Sequence, residues 1–111
     1  MLKIKDKQDL ERVLIDYNKN KIKMKDFELI GKHKEAKEYK ILIARIDNAI
    51  SSLDEKEREI IELRYTIGRG KQSWKLISEC LFLSRARCNT IKNDALSKLE
   101  KILCIQKVDK E

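Results

Sequence analysis

The sequence predicts an all-α fold, on three observations. Proline is absent from the 111 residues and glycine appears three times, so few positions interrupt a helix. Apolar residues recur at spacings of three and four rather than alternating, which is the period of a helix with one buried face. Serine or aspartate precedes several of these runs, where its side chain can accept from an unpaired backbone N–H of the first turn. The expected layout is an N-terminal helical arm over 1–50 and a three- to four-helix C-terminal domain over 51–105, with a disordered tail over 106–111.

Residues 1–5 read as a short frayed start. Asp6 or Asp9 caps a first helix running to about Asn18, with Leu10, Val13, Leu14 and Tyr17 on one face. Asn18–Lys19–Asn20 is the expected break. The alternating basic and apolar residues from Lys19 to Lys25 read as a solvated connector, with a basic linker touching a phosphate backbone as the alternative. Residues 26–31 make a small apolar patch ending in a turn at Gly31. From about Lys32 to Ser52, Ala36, Tyr39, Leu42, Ile43, Ile46, Ala49 and Ile50 form a nearly continuous apolar seam over three heptads, the long amphipathic helix of the arm. Packing onto the C-terminal domain and pairing with a second subunit would both bury that seam.

The C-terminal domain opens with two capping-box spacings, Ser52 with Glu55 and Asp54 with Glu57. Ile60, Ile61 and Leu63 carry a helix to about Thr66, and residues 66–72 form a glycine-containing loop whose spacing does not fit a phosphate-binding P-loop. Ser73 caps a short helix with Trp74, Ile77 and Leu81 inward. After a tight turn, Ser84 caps a second helix whose inward stripe is Cys88, Ile91, Ala95 and Leu99, continuing through Ile102, Leu103 and Ile105. Two short helices joined this way, the second with basic and polar residues near its start, outline a helix-turn-helix with its recognition helix over 84–99.

Residues 53–103 resemble region 4 of the sigma-70 family of transcription factors. The matching pieces are Leu53, Glu57–Arg58–Glu59, Leu63–Arg64–Tyr65, Ile77 and Leu81, Leu83–Ser84–Arg85, Ala95–Leu96 and Lys98–Leu99. No stretch here reads as the region 2 of a complete sigma factor. The whole is similar to small phage- and prophage-encoded regulators of the ArpU/RinA kind. The resemblance implies a helix-turn-helix of the winged-helix-like DNA-binding superfamily, with double-stranded DNA and RNA polymerase as partners. It also implies that positions after Ser84 read a promoter element. Ala86 replaces the family's usual glutamate and Asn89–Thr90 its Arg–Gln pair, so the standard −35 hexamer is not the expected target. The usual turn glycine is Phe82.

Charge supports the same reading. The net charge is +7, and from Arg64 to Lys92 seven basic residues face one acid, Glu79, a local excess of +6. A patch of this kind suits a polyanion. Arg85, Ala86, Arg87, Asn89, Thr90 and Asn93 are the expected base contacts, because arginine can grip guanine, asparagine adenine, and a methyl can meet thymine. Arg69, Lys71, Ser73, Lys75, Ser84 and Lys92 are the expected phosphate contacts, which hold register. A homodimer through the 36–50 helix is favoured, because so small a reader gains affinity from two half-sites.

Other functions find little to rest on. With one histidine and three cysteines lacking a C-x-x-C pair, neither a metal site, a disulfide framework nor a nucleophile–base pair can be assembled. No cofactor, small-molecule substrate or catalysis is expected. Cys80 and Cys88 read as buried helix residues. No signal peptide or membrane-spanning run is visible, which points to the cytoplasm. Two alternatives keep the fold: a helical adaptor that binds RNA polymerase or a sigma factor without reading DNA, and a DNA-binding subunit of the phage small-terminase kind.

Overall fold

A computed structural model of the protein describes residues 4–104. Ile105 and the tail over 106–111 lie outside the described residues. Within them the chain forms six α-helices and one π-helical segment: α1 Lys7–Ile15, α2 Tyr17–Leu29, α3 His33–Ser51, α4 Glu55–Ile61, the π segment Glu62–Thr66, α5 Trp74–Leu81 and α6 Arg85–Leu103. The all-α expectation therefore holds.

Helix starts follow the local chemistry. Of the two candidate caps for α1, Asp6 takes the role and accepts from the Asp9 N–H at 2.9 Å. At α4 the capping box forms on Asp54 and Glu57, not Ser52 and Glu55: Asp54 accepts from Glu57 N–H at 2.9 Å and Glu57 from Asp54 N–H at 3.1 Å. Ser73 and Ser84 cap α5 and α6, accepting from Leu76 N–H at 3.1 Å and Arg87 N–H at 3.0 Å. Each cap satisfies a donor that the first turn cannot pair internally.

The N-terminal arm departs from the sequence reading in three places. The break falls at Asp16, not at Asn18–Asn20, and the Lys19–Lys25 stretch is helix rather than connector. Lysine and methionine are good helix formers and no glycine or proline interrupts the run until Gly31, so propensity prevails over the alternating pattern. Ile4 is no frayed end, being fully buried in the main core. Of the two ways to bury the α3 seam, the chain itself provides one. Leu42, Ile46, Ala49 and Ile50 share one core with Leu10 and Leu14 of α1, Leu53, Ile61 and Tyr65, and Leu96, Leu99 and Leu103 of α6. A monomer already removes this apolar surface from water, which is the gain that dimerisation would have offered.

Side-chain hydrogen bonds tie the arm to the rest of the chain, the Tyr65 hydroxyl donating to Glu11 at 2.9 Å. The Arg45 guanidinium donates to the Leu103 carbonyl at 2.9 Å, satisfying one of the unpaired carbonyls at the end of α6. The Asn18 amide donates to the Thr66 carbonyl at 2.9 Å, at the end of the π segment. α6 stops at Leu103, and Cys104 turns to an extended backbone.

Candidate nucleic-acid interface

α6 is amphipathic over its first three turns, and this sets the geometry of the site. Cys88, Ile91 and Ala95 are buried, Cys88 and Ile91 in a small second core with Ile60. Trp74, Leu81 and Leu83 pack against that core from α5 and the turn, so the two motif helices are locked together by apolar contact. The opposite surface of α6 is open. Arg85, Ala86, Arg87, Asn89, Thr90 and Asn93 are all exposed.

These six do not point one way. At about 100° per residue, Arg85 and Arg87 lie on opposite flanks of α6, with Ala86, Asn89, Thr90 and Asn93 between them. Arg85 shares its flank with Lys92, seven positions on. Arg87 lies in a cleft with Asp54, Glu55 and Glu57 at the start of α4 and with Asp94. The Thr90 hydroxyl donates to the Ala86 carbonyl at 3.1 Å, which occupies its proton and leaves its methyl and lone pairs outward.

Cations surround this surface. Arg69, Lys71 and Lys75 are exposed, and Lys92 is half-buried. The Lys92 ammonium sits 5.7 Å from the centroid of the Trp74 ring, and the Arg64 guanidinium 5.1 Å from it. Both are within reach of the ring's negative face. Arg64 also donates to the Gln72 carbonyl, so one side chain grips both the loop and the indole. The Ser73 and Ser84 oxygens accept backbone protons as caps, which leaves each hydroxyl proton free to be donated at a helix N-terminus.

The loop before α5 is shaped by its glycines. A Cβ on Gly68 would lie 1.9 Å from the Leu63 carbonyl oxygen, so only glycine fits against the π segment there. Arg69 and Gly70 both take positive φ, 55° and 74°. The turn between α5 and α6 contains a further left-handed residue, Phe82, at φ 57°. The turn thus keeps its usual geometry and the phenylalanine adopts it, with its side chain 94% exposed.

On the far side of α6, Lys98 pairs with Glu57 at 2.8 Å, and that interaction holds the Lys98 pKa above its usual value. Glu57 is thereby both capped and paired although buried. Cys88 is buried and its thiol pKa is raised by burial, whereas Cys80 is exposed. Cys80 was expected inward; the buried face of α5 is carried by Ile77 and Ser78 instead. Among the described residues no group of histidines, cysteines and carboxylates is placed to hold a metal ion, and no helix is long and apolar enough to cross a membrane.

Three elements of the interface were not legible as such in the sequence. Arg64 appeared as one charge in a basic run and as part of the Leu63–Arg64–Tyr65 match, Trp74 as a core residue, and Asn18 as a helix break. Each acts through a partner distant in sequence, which no local spacing signals.

Residues 49–101 match the family model for sigma-70, region 4. No curated protein and no solved structure matches the chain.

Proposed function

Because residues 49–101 form a sigma-70 region 4-like helix-turn-helix, we propose that this protein is a sequence-specific reader of double-stranded DNA that regulates transcription. The first turns of α6 enter the major groove. The observation that carries this reading is the open face of α6: Arg85, Ala86, Arg87, Asn89, Thr90 and Asn93 are all exposed on a helix whose other face is buried. Arg85 and Asn89 are suited to purine edges, and the Ala86 and Thr90 methyls to thymine. Arg69, Lys71, Lys75 and Lys92, with the hydroxyls of Ser73 and Ser84, hold the phosphates on either side.

The proposed role is binding without catalysis, in the cytoplasm, with RNA polymerase as a second partner and a phage or prophage as the source. The unit that binds is a single protomer, since the α3 seam is used up in its own core. One feature favours a second reading, that of a helical adaptor: Leu29, Ile30 and Ile41 are exposed on the α2–α3 hairpin.

Selection of duplexes from a random pool at about 150 mM salt, where non-specific binding is weak, tests the proposal. A recovered motif supports it, and a palindromic motif would replace the single protomer with a dimer. Failure to enrich any sequence would overturn specific reading and favour the adaptor.

A further inference from the structure

The loop before α5 does not stand alone. Its Arg69 and Lys71 line a cleft of about 470 Å³ together with Ile15, Asp16, Lys19 and Ile22 from the junction of α1 and α2. Three cations and one carboxylate meet there, a net formal charge of +2. Lys19, Arg69 and Lys71 are exposed, and among the described residues none of them is held in an ion pair.

The cleft is built rather than a chance approach of flexible chains. The Asn18 amide, next to Lys19, donates to the Thr66 carbonyl at 2.9 Å. A Cβ on Gly70 would lie 3.0 Å from the Ile15 Cδ1, so the loop packs against the end of α1 at van der Waals distance. Arg69 is fixed in the left-handed region between these two anchors. The three ammonium and guanidinium stems therefore leave a common, braced surface, and less freedom is lost when they close on one anion.

We propose that the α1–α2 junction is part of the DNA interface, with Lys19 joining Arg69 and Lys71 against the phosphate backbone next to the N-terminus of α5. The proposal rests on the DNA reading above and adds to it a contact from outside the segment that matches the sigma family. In a helix-turn-helix the first motif helix crosses the sugar–phosphate backbone. Residues 69–73 lead directly into that helix, so a backbone strand approaching the Ser73 cap passes the mouth of this cleft. Lys21 and Lys25 leave α2 on its other flank, Lys21 over the Tyr17 ring, and take no part.

The test is the salt dependence of binding to a labelled 30-base-pair duplex of arbitrary sequence, since phosphate contacts do not depend on sequence. Full-length protein, Lys19→Gln and Lys25→Gln are titrated between about 50 and 200 mM KCl, with circular dichroism to check that each is folded. Lys19→Gln is expected to weaken binding several-fold and to lower the slope of log K against log salt by about one, with Lys25→Gln matching the parent. A Lys19→Gln variant with the parent's affinity and slope overturns the proposal, as does an equal loss in Lys25→Gln. If the parent itself does not bind the duplex at about 50 mM salt, the DNA reading falls along with it.

Discussion

Phe82 ends α5 in the geometry that Gly31 uses to end α2. Both residues take positive φ, 57° and 80°. In both cases the next residue donates its N–H to the carbonyl five positions back, Leu83 to Ser78 at 3.0 Å and Lys32 to Phe27 at 2.8 Å. This closure satisfies the last helical carbonyls but asks for a left-handed residue, which costs a side chain with a Cβ about 1–2 kcal/mol. Phe82 recovers little of that inside the protomer, being almost wholly exposed. Phe82→Gly is therefore expected to stabilise the fold by about 0.5–1 kcal/mol, after allowing for the greater freedom of glycine in the unfolded chain. Thermal unfolding followed by circular dichroism measures it; a lower melting temperature would mean that the ring has a packing role.

The Arg64–Trp74–Lys92 stack joins the π segment, α5 and α6. Trp74→Ala removes the half-buried indole and both cation contacts, and a loss of about 2–3 kcal/mol is expected in urea unfolding. Trp74 is also the single tryptophan of the chain. Its fluorescence should change when DNA draws Lys92 off the ring, and an unchanged spectrum at saturating DNA would argue that Lys92 stays where it is.

Base and phosphate contacts separate by their salt and sequence behaviour. Arg85→Ala is expected to cost about 1–3 kcal/mol on a selected site and to relax preference at one base pair. Lys71→Ala should weaken binding to every duplex alike and lower the salt slope by about one. If Arg85→Ala left affinity for a selected site intact at matched salt, the assignment of α6 as the reading helix would be wrong.

Ile46 is fully buried where α1, α3 and α6 meet. Ile46→Ala should cost about 2–4 kcal/mol through lost burial and the cavity left behind. Light scattering on the folded variant should give the same mass as the parent. A change in mass with stability intact would return the α3 seam to a dimer interface.

Alkaline pH should weaken the fold through two tyrosines. Tyr17, whose hydroxyl donates to Asp47 at 2.5 Å, has its pKa pushed up to about 12 by burial and then by that carboxylate. Tyr65, bonded to Glu11 at 2.9 Å, is raised further, again chiefly by burial. A raised folded pKa means that the unfolded chain gives up its protons first. The contribution is thus complete below the ordinary tyrosine value of 10.0 and is lost as pH rises through about 12. Urea midpoints between these limits should fall with pH, and less steeply in Tyr17→Phe and Tyr65→Phe. Equal slopes in all three would show that the hydroxyls do not couple to folding.

What could be read from the sequence was what is local. Ser73, Ser84 and the Asp54–Glu57 box are caps whose partners lie three residues away, and the Cys88–Ile91–Ala95–Leu99 stripe is one helix's own period. The Lys19–Lys25 stretch misled because its alternation imitates an irregular segment, while the bonds that make it α2 depend only on backbone and propensity. The π segment has no side-chain signature; its wide turn is visible in the bond from Ile67 N–H to the Glu62 carbonyl at 2.8 Å. The two ways of burying the α3 seam satisfy the same apolar pattern equally well. Only the placement of α1 and α6 decides between them.

That placement also bears on how the chain is made. α1 and α3 bury their apolar faces partly against Leu96, Leu99 and Leu103 of α6, the last of the described helices to leave a ribosome. Until it emerges, the finished α2–α3 hairpin holds Leu42 and Ile46 open to solvent, a sticky surface awaiting its cover. Synthesis of this protein should therefore show a single late collapse instead of stepwise folding from its first residues, and a stalled or shortened chain lacking α6 should be a substrate for chaperones and proteases.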